Sequence, residues 1–567
     1  MSRNEVVIQH IVMPSGIVEG DIPLYNRNSD GRHFPIDLRK GETLDLRSHF
    51  NLLPIRKLRE NTETGTIFLR LHFKGSVSVL VTTYGPGTET SEDAIIPSDR
   101  ECCVIDGSEG DLLGIVITAM TDSVLESGEF LCRPQSRKDV HLAHVICTYH
   151  REKELRDKLE RIGSFLDKDP DMREHLEIFI IDNGRTVKDI ERGNVRLIGS
   201  PNYGGSAGFA RGMMEACRDG KTTHVLLNDD DARLDPEILF RTISFYSLLK
   251  DGLSDTMLGG TMLLLDRPCE THESGAVFKG SKPHSLKRHL DLSDISSNEE
   301  LEREESIDYF GWWYLAIPAE TIKKNGYPLP MFYKMDDVEY GLRSPSRKVT
   351  MCGISVWHPS FSSSYSASGT YYAHRNDLVL LACNHMLDRR NIDEFMERAL
   401  LDTACLRYPS TSATMKAIED FLKGPDTLFR MCLDGPAGIE GYEYGDVGEL
   451  SVGLRPGKET RAGFGFRKYT LNGLLLPSSG DMITDFDNMQ TKDFYRVGKA
   501  LYVVDEKKGT LCKRSLTKAI FQTIGLHILK RKLIRNMERL NEEYGRASTR
   551  YSSEEGWKEL FGDDLIC

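Results

Sequence analysis

The sequence predicts an α/β protein whose centre is a mostly parallel sheet, with an all-β domain before it and a mainly helical domain after it. From His141 onward, short apolar runs alternate with segments of helical periodicity, a rhythm typical of β–α–β units. Short alternating strands with Gly and Pro turns precede that point, and helical patterns prevail beyond about residue 395. We therefore divide the chain into three domains, residues 1–138, 139–390 and 391–567.

Composition narrows the class of protein. The 567 residues are too many for one core, so about two to four domains are expected. A net charge of −13 argues against a general nucleic-acid binder. The 12 cysteines show no zinc-ligand spacing, which favours reduced thiols in a cytoplasmic protein. Because no apolar run has the length of a membrane span and the start is polar, any membrane contact is expected at the inner face.

The first domain is expected to be a β-sandwich. Residues 66–73 and 76–81 alternate between apolar and polar side chains, and we interpret Lys74-Gly75 between them as a hairpin turn. Another strand is predicted at 113–119. Such a domain binds carbohydrate or braces its neighbour, and we favour the structural role slightly.

The central domain is predicted to alternate strands and helices. A helix is expected at 154–166, where Leu155, Leu159, Ile162 and Leu166 have helical spacing, and another from Asp235. Residues 281–307 are polar and are interpreted as a solvated loop or a short exposed helix without chemistry. Strands are predicted at residues 142–147, 176–181, 195–198, 225–227 and 262–265.

Three acidic residues end the strand at 225–227. In open α/β sheets ligands bind at the carboxyl ends of strands, so Asp229, Asp230 and Asp231 stand where chemistry is expected. Side chains alternate along an extended chain, which would point Asp229 and Asp231 one way and Asp230 another. Two hard oxygen ligands suit Mg²⁺ or Mn²⁺. The alternative is an ordinary acidic turn.

Other candidate features each have a plain structural alternative. The glycine-rich stretch at 202–212 is a phosphate loop or a helix that needs close packing, and it matches neither a Walker loop nor a dinucleotide fingerprint. Trp312 and Trp313 are core residues or a wall for a sugar to stack on. Asp336 and Asp337 are functional carboxylates or helix caps. The alternative for His358 is a structural role.

The last domain contains one expected hairpin and a long final helix. The hairpin joins residues 494–504 to the segment around Leu511. The helix begins near 515, and we expect it to pack one face while a basic face is solvated; contact with an anionic membrane is the alternative. The apolar residues placed near one face are Leu516, Ile520, Ile524, Ile528, Leu533, Met537 and Leu540.

The order of these motifs resembles the family 2 glycosyltransferases with a metal-dependent GT-A fold. The order runs through Asp182-Asn183, the glycine-rich loop, the Asp triplet, the Trp pair, Asp336-Asp337 and Trp357-His358. Within that family the chain looks most like the polymerising galactofuranosyltransferases of mycobacterial cell-wall synthesis, most strongly over residues 142–380. The resemblance implies a GT-A (Rossmann-like) core, an N-terminal β-sandwich and a C-terminal mainly helical domain.

The resemblance also implies roles for individual residues. It assigns Mn²⁺ or Mg²⁺ to Asp229, Asp231 and His358, the general base to Asp337, and the acceptor to Trp312, Trp313 and Asp336. The N-terminal domain shows only general similarity, which leaves acceptor identity and polymer length undefined. The residues implied for the UDP-sugar donor are Thr148, Arg151, Asp182, Asn183, Gly205, Asp229, Asp230, Lys334 and His374.

The implied activity is inverting transfer of a sugar, galactofuranose from UDP-galactofuranose, to a hydroxyl of a growing cell-surface glycan or lipid-linked glycan. Two alternatives remain: transfer from another nucleotide sugar such as a rhamnosyl donor, and a non-catalytic carbohydrate-binding scaffold. A metal phosphatase is disfavoured because Asp231 is followed by Ala232 and Arg233 instead of Thr or Ser. No nucleic-acid partner is expected; a peripheral membrane contact and a homo-oligomer are the further partners considered.

Overall fold

The structure is a computed structural model. It describes residues 5–85, 88–97, 101–105, 110–190, 193–361, 366–431, 446–447, 467, 469–484, 490–503 and 509–562.

The N-terminal domain is the predicted β-sandwich. One sheet has the order β1-β9-β4-β7, with β2 paired to β9, and the other has the order β3-β8-β5-β6. All strand pairings within the two sheets are antiparallel. The elements are β1 (Val6–His10), β2 (Ile36–Leu38), β3 (Thr43–Asp45), α1 (Ile55–Asn61), β4 (Ile67–Lys74), β5 (Ser76–Gly85), β6 (Thr88–Pro97), β7 (Glu101–Ile105), β8 (Leu112–Ala119) and β9 (Ser123–Cys132).

The predicted hairpin at Lys74-Gly75 is wrong, because β4 and β5 belong to different sheets. Gly75 has φ of +105°, and a Cβ there would lie 2.3 Å from Ser123 Oγ, so the crossing between the sheets requires glycine. The same alternation of buried and exposed side chains occurs in a hairpin and in two strands that face each other across a core. The sequence pattern therefore could not distinguish the two arrangements.

The central domain confirms the expected alternation of strands and helices. Its elements are β10 (Leu142–Thr148), α2 (Glu152–Lys168), α3 (Pro170–His175), β11 (Leu176–Asp182), β12 (Val195–Gly199), α4 (Gly204–Cys217), β13 (His224–Asp229), β14 (Arg233–Leu234), α5 (Glu237–Ser247), β15 (Met257–Leu264), β16 (Thr271–Glu273), β17 (Ala276–Lys279), β18 (Lys282–Ser285), α6 (Ile295–Glu302), β19 (Leu315–Pro318), α7 (Ala319–Asn325), α8 (Asp336–Arg343) and β20 (Lys348–His358).

These strands form a nine-stranded sheet of order β12-β11-β10-β13-β19-β15-β20-β14, with β16 paired to β15. Neighbours from β12 to β13 are parallel, and β15 is parallel to β20. β19 runs antiparallel to both of its neighbours, and the short β14 runs antiparallel to β20. The carboxyl ends of β10 and β13 therefore share one edge, because their register pairs Cys147 with Asp229.

The polar segment at 281–307 is less solvated than expected. It contains β18 and α6, and Glu302 at the end of α6 is completely buried. The Glu302 carboxylate accepts a hydrogen bond from the Cys352 backbone and lies 3.4 Å from the Lys57 ammonium. Composition alone did not reveal this burial, because a buried charge depends on partners that are distant in the sequence.

The C-terminal domain is mainly helical, as predicted. Its helices are α9 (Ala367–Cys383), α10 (Arg389–Ala404), α11 (Tyr408–Phe421), α12 (Pro425–Met431), α13 (Leu516–Tyr551) and α14 (Glu554–Phe561). A four-stranded sheet accompanies them, formed by β21 (Asp446–Val447), β22 (Gly480–Thr484), β23 (Val497–Val503) and β24 (Gly509–Lys513). The antiparallel pair of β23 and β24 confirms the expected hairpin.

The predicted packing face of α13 is wrong for its first half. The residues buried there are Ala519, Gln522, Leu526 and Leu529. At about 100° per residue these lie on the opposite side of the helix from the predicted stripe. That stripe is exposed at Leu516 (40%), Ile520 (38%), Ile524 (57%) and Ile528 (49%), beside Phe521 (73%).

The hydrophobic cores run across the predicted domain boundaries. One core includes Leu69 of the sandwich and Leu263 of the central sheet, and a second includes Val338 of the central domain and Leu540 of α13. Buried polar contacts reinforce the first junction, since the Tyr25 hydroxyl donates to Asp235 at 2.9 Å. The sandwich thus braces the segment that follows the Asp triplet. No helix in the described part of the chain is long and apolar enough to cross a bilayer.

Candidate active site

A cleft of about 930 Å³ opens at the carboxyl ends of β10 and β13. It brings together almost all of the residues singled out in the sequence, although they come from every part of the central domain. Asp182 and His374 do not line it. The predicted residues that line it are Thr148, Arg151, Asn183, Gly205, Asp229, Asp230, Asp231, Trp312, Trp313, Lys334, Asp336, Asp337 and His358.

Asp229, Asp231 and His358 form one compact group. Asp229 ends β13, Asp231 lies in the turn that follows, and His358 ends β20. The turn is held to β20 by β14, whose Arg233 pairs with Trp357. His358 Nε2 lies 3.1 Å from Asp231 Oδ1 and 4.0 Å from Asp229 Oδ2, and one ligand atom from each residue falls within 4.8 Å of the others.

The donor atoms of this group fit a divalent cation. His358 Nδ1 lies 2.8 Å from the Pro359 carbonyl, so it carries the proton and Nε2 faces the carboxylates. Burial, followed by the charge of Asp231, raises the pKa of Asp229 to about 7. Burial alone would lower the pKa of His358, but its hydrogen bond and charge interaction with Asp231 raise the value overall. Two carboxylate oxygens and an imidazole nitrogen suit Mn²⁺ or Mg²⁺.

Asp230 faces a different set of partners from its neighbours. Its carboxylate accepts a hydrogen bond from Thr148 Oγ1 at 2.9 Å and lies 3.5 Å from Arg151 Nη1. The same Arg151 nitrogen forms an ion pair with Asp231. Asp230 therefore bonds to Thr148 and Arg151 and not to the candidate metal ligands, and Arg151 provides a cation beside the triplet.

Asp336 and Asp337 lie at the start of α8 and face the same cleft. Burial raises the pKa of Asp337 to about 6. Burial and the charge of Asp337 raise the pKa of Asp336 well above its usual range. Burial therefore makes both carboxyls of this adjacent pair harder to ionise than an exposed aspartate.

The loop before α8 is conformationally unusual. Phe332, Lys334 and Met335 have φ of 68°, 69° and 65°, in a region where a residue other than glycine costs about 1–3 kcal/mol. The Phe332 carbonyl accepts a hydrogen bond from the Ser206 backbone, and a Cβ on Gly204 would lie 2.0 Å from that carbonyl oxygen. The glycine-rich stretch thus packs directly against the loop that carries the carboxylate pair.

Close packing also explains the remaining glycines of α4. A Cβ on Gly208 would lie 2.2 Å from Cys147 Sγ, and one on Gly212 would lie 2.2 Å from Val145 Cγ1. Both contacts are with β10, so the helix sits closer to the sheet than side chains would allow. Gly205, in contrast, lines the cleft.

Trp312 and Trp313 belong both to the core and to the cleft wall. They occupy a turn before β19, not the strand itself, and are 4% and 7% exposed. Trp313 Nε1 donates to the Gly260 carbonyl at 3.0 Å. Trp312 Nε1 is buried and has no hydrogen-bond partner among the described residues. An unpartnered donor beside a cleft can bind a ligand oxygen.

Asp182 and His374 are engaged elsewhere. The two carboxylate oxygens of Asp182 accept hydrogen bonds from the backbone of Gly184 at 2.9 Å and of Val187 at 2.7 Å, which shapes the turn after β11. His374 Nδ1 lies 2.7 Å from Thr414 Oγ1 of α11, and burial lowers the pKa of His374 to about 3. Both side chains are therefore bonded to protein groups and do not line the cleft.

The cleft also contains residues that the sequence did not single out. His272 and Glu273 enter it from β16, with Tyr309 and Phe361 nearby. Glu273 is 4% exposed, and burial raises its pKa to about 8, with a smaller contribution from Asp337. β16 is three residues long and no spacing marks its Glu273, so no sequence signal would have found it.

A mixed sheet in which β12, β11, β10 and β13 run parallel, with an Asp-x-Asp at the end of one strand and a second carboxylate pair in the same cleft, is the arrangement of the GT-A class of glycosyltransferases. Comparison with curated proteins confirms the resemblance. The chain is similar to galactofuranosyltransferase GlfT2 of Mycobacterium tuberculosis, at 29% identity over 424 residues, which cover 67% of this chain and 65% of the relative. It is 26% identical to GlfT2 of Mycolicibacterium smegmatis over 445 residues, which cover 71% and 68% of the two chains. The chain thus spans about two thirds of the length of these relatives.

No protein-family model matches the chain. Among solved structures, S. aureus TarS 1-349 in complex with UDP-GlcNAc is 13% identical with a TM-score of 0.32, covering 52% of this chain and 83% of that structure. Mannosyl-3-phosphoglycerate synthase from Rubrobacter xylanophilus is 11% identical with a TM-score of 0.26, covering 44% and 76%.

Proposed function

We propose that this protein is a divalent-metal-dependent, inverting glycosyltransferase that moves galactofuranose from UDP-galactofuranose to a hydroxyl of a growing cell-surface glycan. The observation that carries the proposal is that two acidic groups line one cleft: the first is Asp229 and Asp231 with His358, and the second is Asp336 with Asp337. Glycosyl transfer needs stabilisation of a leaving diphosphate and a base for the acceptor hydroxyl, and these are two different tasks.

The first group serves the donor. When bound, a divalent ion would supply positive charge to the leaving diphosphate. Asp229, Asp231 and His358 would hold that ion through the donor atoms that already face one another. Arg151 adds a fixed cation beside them, and Lys334 adds another cationic side chain to the wall of the cleft. Thr148 and Asn183 extend the donor side toward the nucleotide.

The second group serves the acceptor. Asp337 takes the proton of the acceptor hydroxyl as its oxygen attacks the anomeric carbon and the carbon–oxygen bond to the diphosphate breaks, which inverts that carbon. The pKa of Asp337, which burial raises to about 6, supports this assignment, because a base takes up a proton most effectively when its pKa lies near the working pH. Asp336, the neighbouring carboxyl in the same cleft, is assigned to hydrogen-bond the acceptor. Trp312 and Trp313 give the acceptor an aromatic surface.

The proposed location is the cytoplasm, with peripheral contact at the inner face of the membrane. The exposed apolar stripe of α13 supports it, because Ile520, Phe521, Ile524 and Ile528 face outward on a helix whose later turns expose Arg531, Lys532 and Arg535. An apolar stripe continued by cations on an otherwise acidic protein suits an anionic bilayer surface. A lipid-linked acceptor would be reached from that surface.

The test of the activity is a panel of nucleotide sugars, including UDP-galactofuranose, UDP-galactopyranose and a rhamnosyl donor, with release of the nucleoside diphosphate measured in the presence and absence of Mn²⁺. We expect release from UDP-galactofuranose that depends on both metal and acceptor. Release from a rhamnosyl donor alone would replace the donor assignment. Absence of release from every donor, with sugar binding retained, would favour a carbohydrate-binding scaffold.

A further inference from the structure

We propose that Asn228, together with Lys158, is a positioning residue that holds the metal-ligand end of β13 and the Trp312-Trp313 turn in one fixed arrangement. The inference rests on the proposed function, because it joins the donor and acceptor sides of that reaction. Neither Asn228 nor Lys158 lines the cleft, so any effect they have on ligands acts through the residues they hold.

Lys158 is a cation on the buried face of a helix. α2 packs Leu155, Ile162 and Leu166 inward, and Lys158 lies on that same face with only 6% of its surface exposed. A leucine would satisfy the packing without the cost of burying an ammonium group. The ammonium instead donates to Asn228 Oδ1 at 2.6 Å and to the Asp229 backbone carbonyl at 2.5 Å.

Asn228 connects this lysine to the aromatic turn. Its side chain is completely buried, one residue before the candidate ligand Asp229. Asn228 Oδ1 accepts from Lys158 and lies 3.2 Å from His144 Nε2, while Asn228 Nδ2 donates to the Trp313 backbone carbonyl. The neighbouring Asp229 backbone nitrogen donates to the Trp312 carbonyl at 3.1 Å.

These contacts connect one buried network to two parts of the site, the backbone of Asp229 and the Trp312-Trp313 turn. Toward the donor, Lys158 fixes the backbone from which the Asp229 carboxylate extends. Toward the acceptor, Asn228 fixes the backbone from which the two indoles extend. A buried amide or ammonium group that loses one partner costs more free energy than the paired group contributes to stability. The network is therefore stable in only one arrangement. Outer contacts of this kind commonly change metal affinity about tenfold to a hundredfold.

The decisive variant is Asn228→Leu, which keeps the branched shape of the side chain and leaves the net charge unchanged. A charge-neutral change matters because removal of Lys158 would also make the acidic triplet bind cations more tightly, which opposes any loss of positioning. The matched control is Asn61→Leu. Asn61 is also buried, bonds to the Lys57 carbonyl and to Arg347, and does not line the cleft.

We expect Asn228→Leu to raise the Kd for UDP with Mn²⁺, measured by calorimetry, and the acceptor KM, each about tenfold or more. Asn61→Leu, even with a similar fall in Tm, should leave both constants within about twofold of wild type. Wild-type values of both constants in folded Asn228→Leu overturn the proposal, and so does an effect that the control reproduces.

A second variant separates the effect on the acceptor from the effect on the metal-dependent binding of UDP. It also provides a test if Asn228→Leu fails to fold. Asn228→Asp keeps an oxygen for Lys158 but has no N–H for the Trp313 carbonyl. It should raise the acceptor KM while the Kd for UDP with Mn²⁺ does not rise; an unchanged acceptor KM overturns the proposal. Failure of the proposed function can be distinguished from these results, because the wild-type protein would then release no nucleoside diphosphate from any donor.

Discussion

His358 Nε2 lies 3.1 Å from Asp231 Oδ1, although Asp231 lies in the turn after β13 and His358 ends β20, far away in the sequence. The contact exists because β14 pairs with the end of β20, which places the residues after the Asp triplet beside Trp357 and His358. The pairing adds His358 to the two carboxylates at the end of β13, so that three side chains direct their donor atoms to one point. The donor side of the proposed reaction depends on this pairing.

Removal of a ligand from this group should abolish transfer. Asp231→Ala removes a carboxylate that faces both His358 and Arg151, and Asp229→Ala removes the other oxygen ligand. In each variant we expect the Mn²⁺-dependent part of UDP binding, measured by calorimetry, to disappear. Asp230→Asn is the matched control, since Asp230 bonds to Thr148 and stands outside the group, and it should keep the metal dependence. An unchanged Mn²⁺ titration of Asp231→Ala would remove the metal assignment.

Metal affinity should increase with pH. Burial and the neighbouring Asp231 raise the pKa of Asp229 to about 7, and interactions with Asp231 and Asp229 raise the pKa of His358 against the effect of burial. Protons on these two groups compete with a cation, so Mn²⁺ binding should release protons below about pH 7. Calorimetry in buffers with different ionisation enthalpies measures that release. Binding that is independent of pH between 6 and 8 would contradict the assigned ligands.

The tryptophans should affect the acceptor more than the donor. Trp312→Phe keeps an aromatic ring in a buried position but removes the indole N–H that has no partner among the described residues. We expect a rise of about threefold to tenfold in acceptor KM, in line with the cost of one lost hydrogen bond, and little change in UDP affinity. Trp313→Phe loses its bond to the Gly260 carbonyl and should lower Tm more. If Trp312→Phe changes only Tm, the residue is part of the core alone.

The apolar stripe of α13 should determine binding to anionic vesicles. Phe521→Glu combined with Ile524→Glu places charge on side chains that are 73% and 57% exposed, so folding should be little affected. We expect co-sedimentation with phosphatidylglycerol-containing vesicles to be lost, and wild-type binding to weaken at high salt. The control is Ile483→Glu on β22, another isoleucine that is 62% exposed. Equal binding of all three proteins would exclude this surface.

The parts of the fold that could be predicted depend on local patterns. The strand end that carries Asp229 and the helix start that carries Asp337 were visible because apolar runs and acidic clusters are contiguous in the sequence, and the family resemblance supplied their order. The roles of the site residues remain predictions.

The parts that could not be predicted depend on contacts between distant segments. Apolar residues four apart on α13 suggested one packed face, but the helix has two apolar faces and buries the other, with Leu526 and Leu529. Glu302 looked solvated and is buried against Lys57, and Glu273 enters the cleft from a strand without a signature. Periodicity describes which residues share a face, whereas only tertiary packing decides which face is covered.

The central claim is that Asp337 acts as the base in metal-dependent transfer. The measurement that tests it most directly is the pH dependence of turnover with UDP-galactofuranose and Mn²⁺. It compares the wild type with Asp337→Asn and Asp336→Asn. Burial raises the pKa of Asp337 to about 6, so at Mn²⁺ concentrations that saturate the protein at every pH, wild-type kcat/KM should fall as the pH drops through about 6 and reach a plateau above it. Asp337→Asn should lose about a hundredfold to ten-thousandfold in kcat and lose this acidic limb, while UDP and Mn²⁺ still bind.

Asp336→Asn should show its loss chiefly in acceptor KM, because Asp336 is assigned to hydrogen-bond the acceptor and not to take its proton. Transfer by Asp337→Asn at the wild-type rate, with Asp336→Asn inactive, would reverse the two roles. If both variants transfer at the wild-type rate, the base lies elsewhere and the mechanism is wrong.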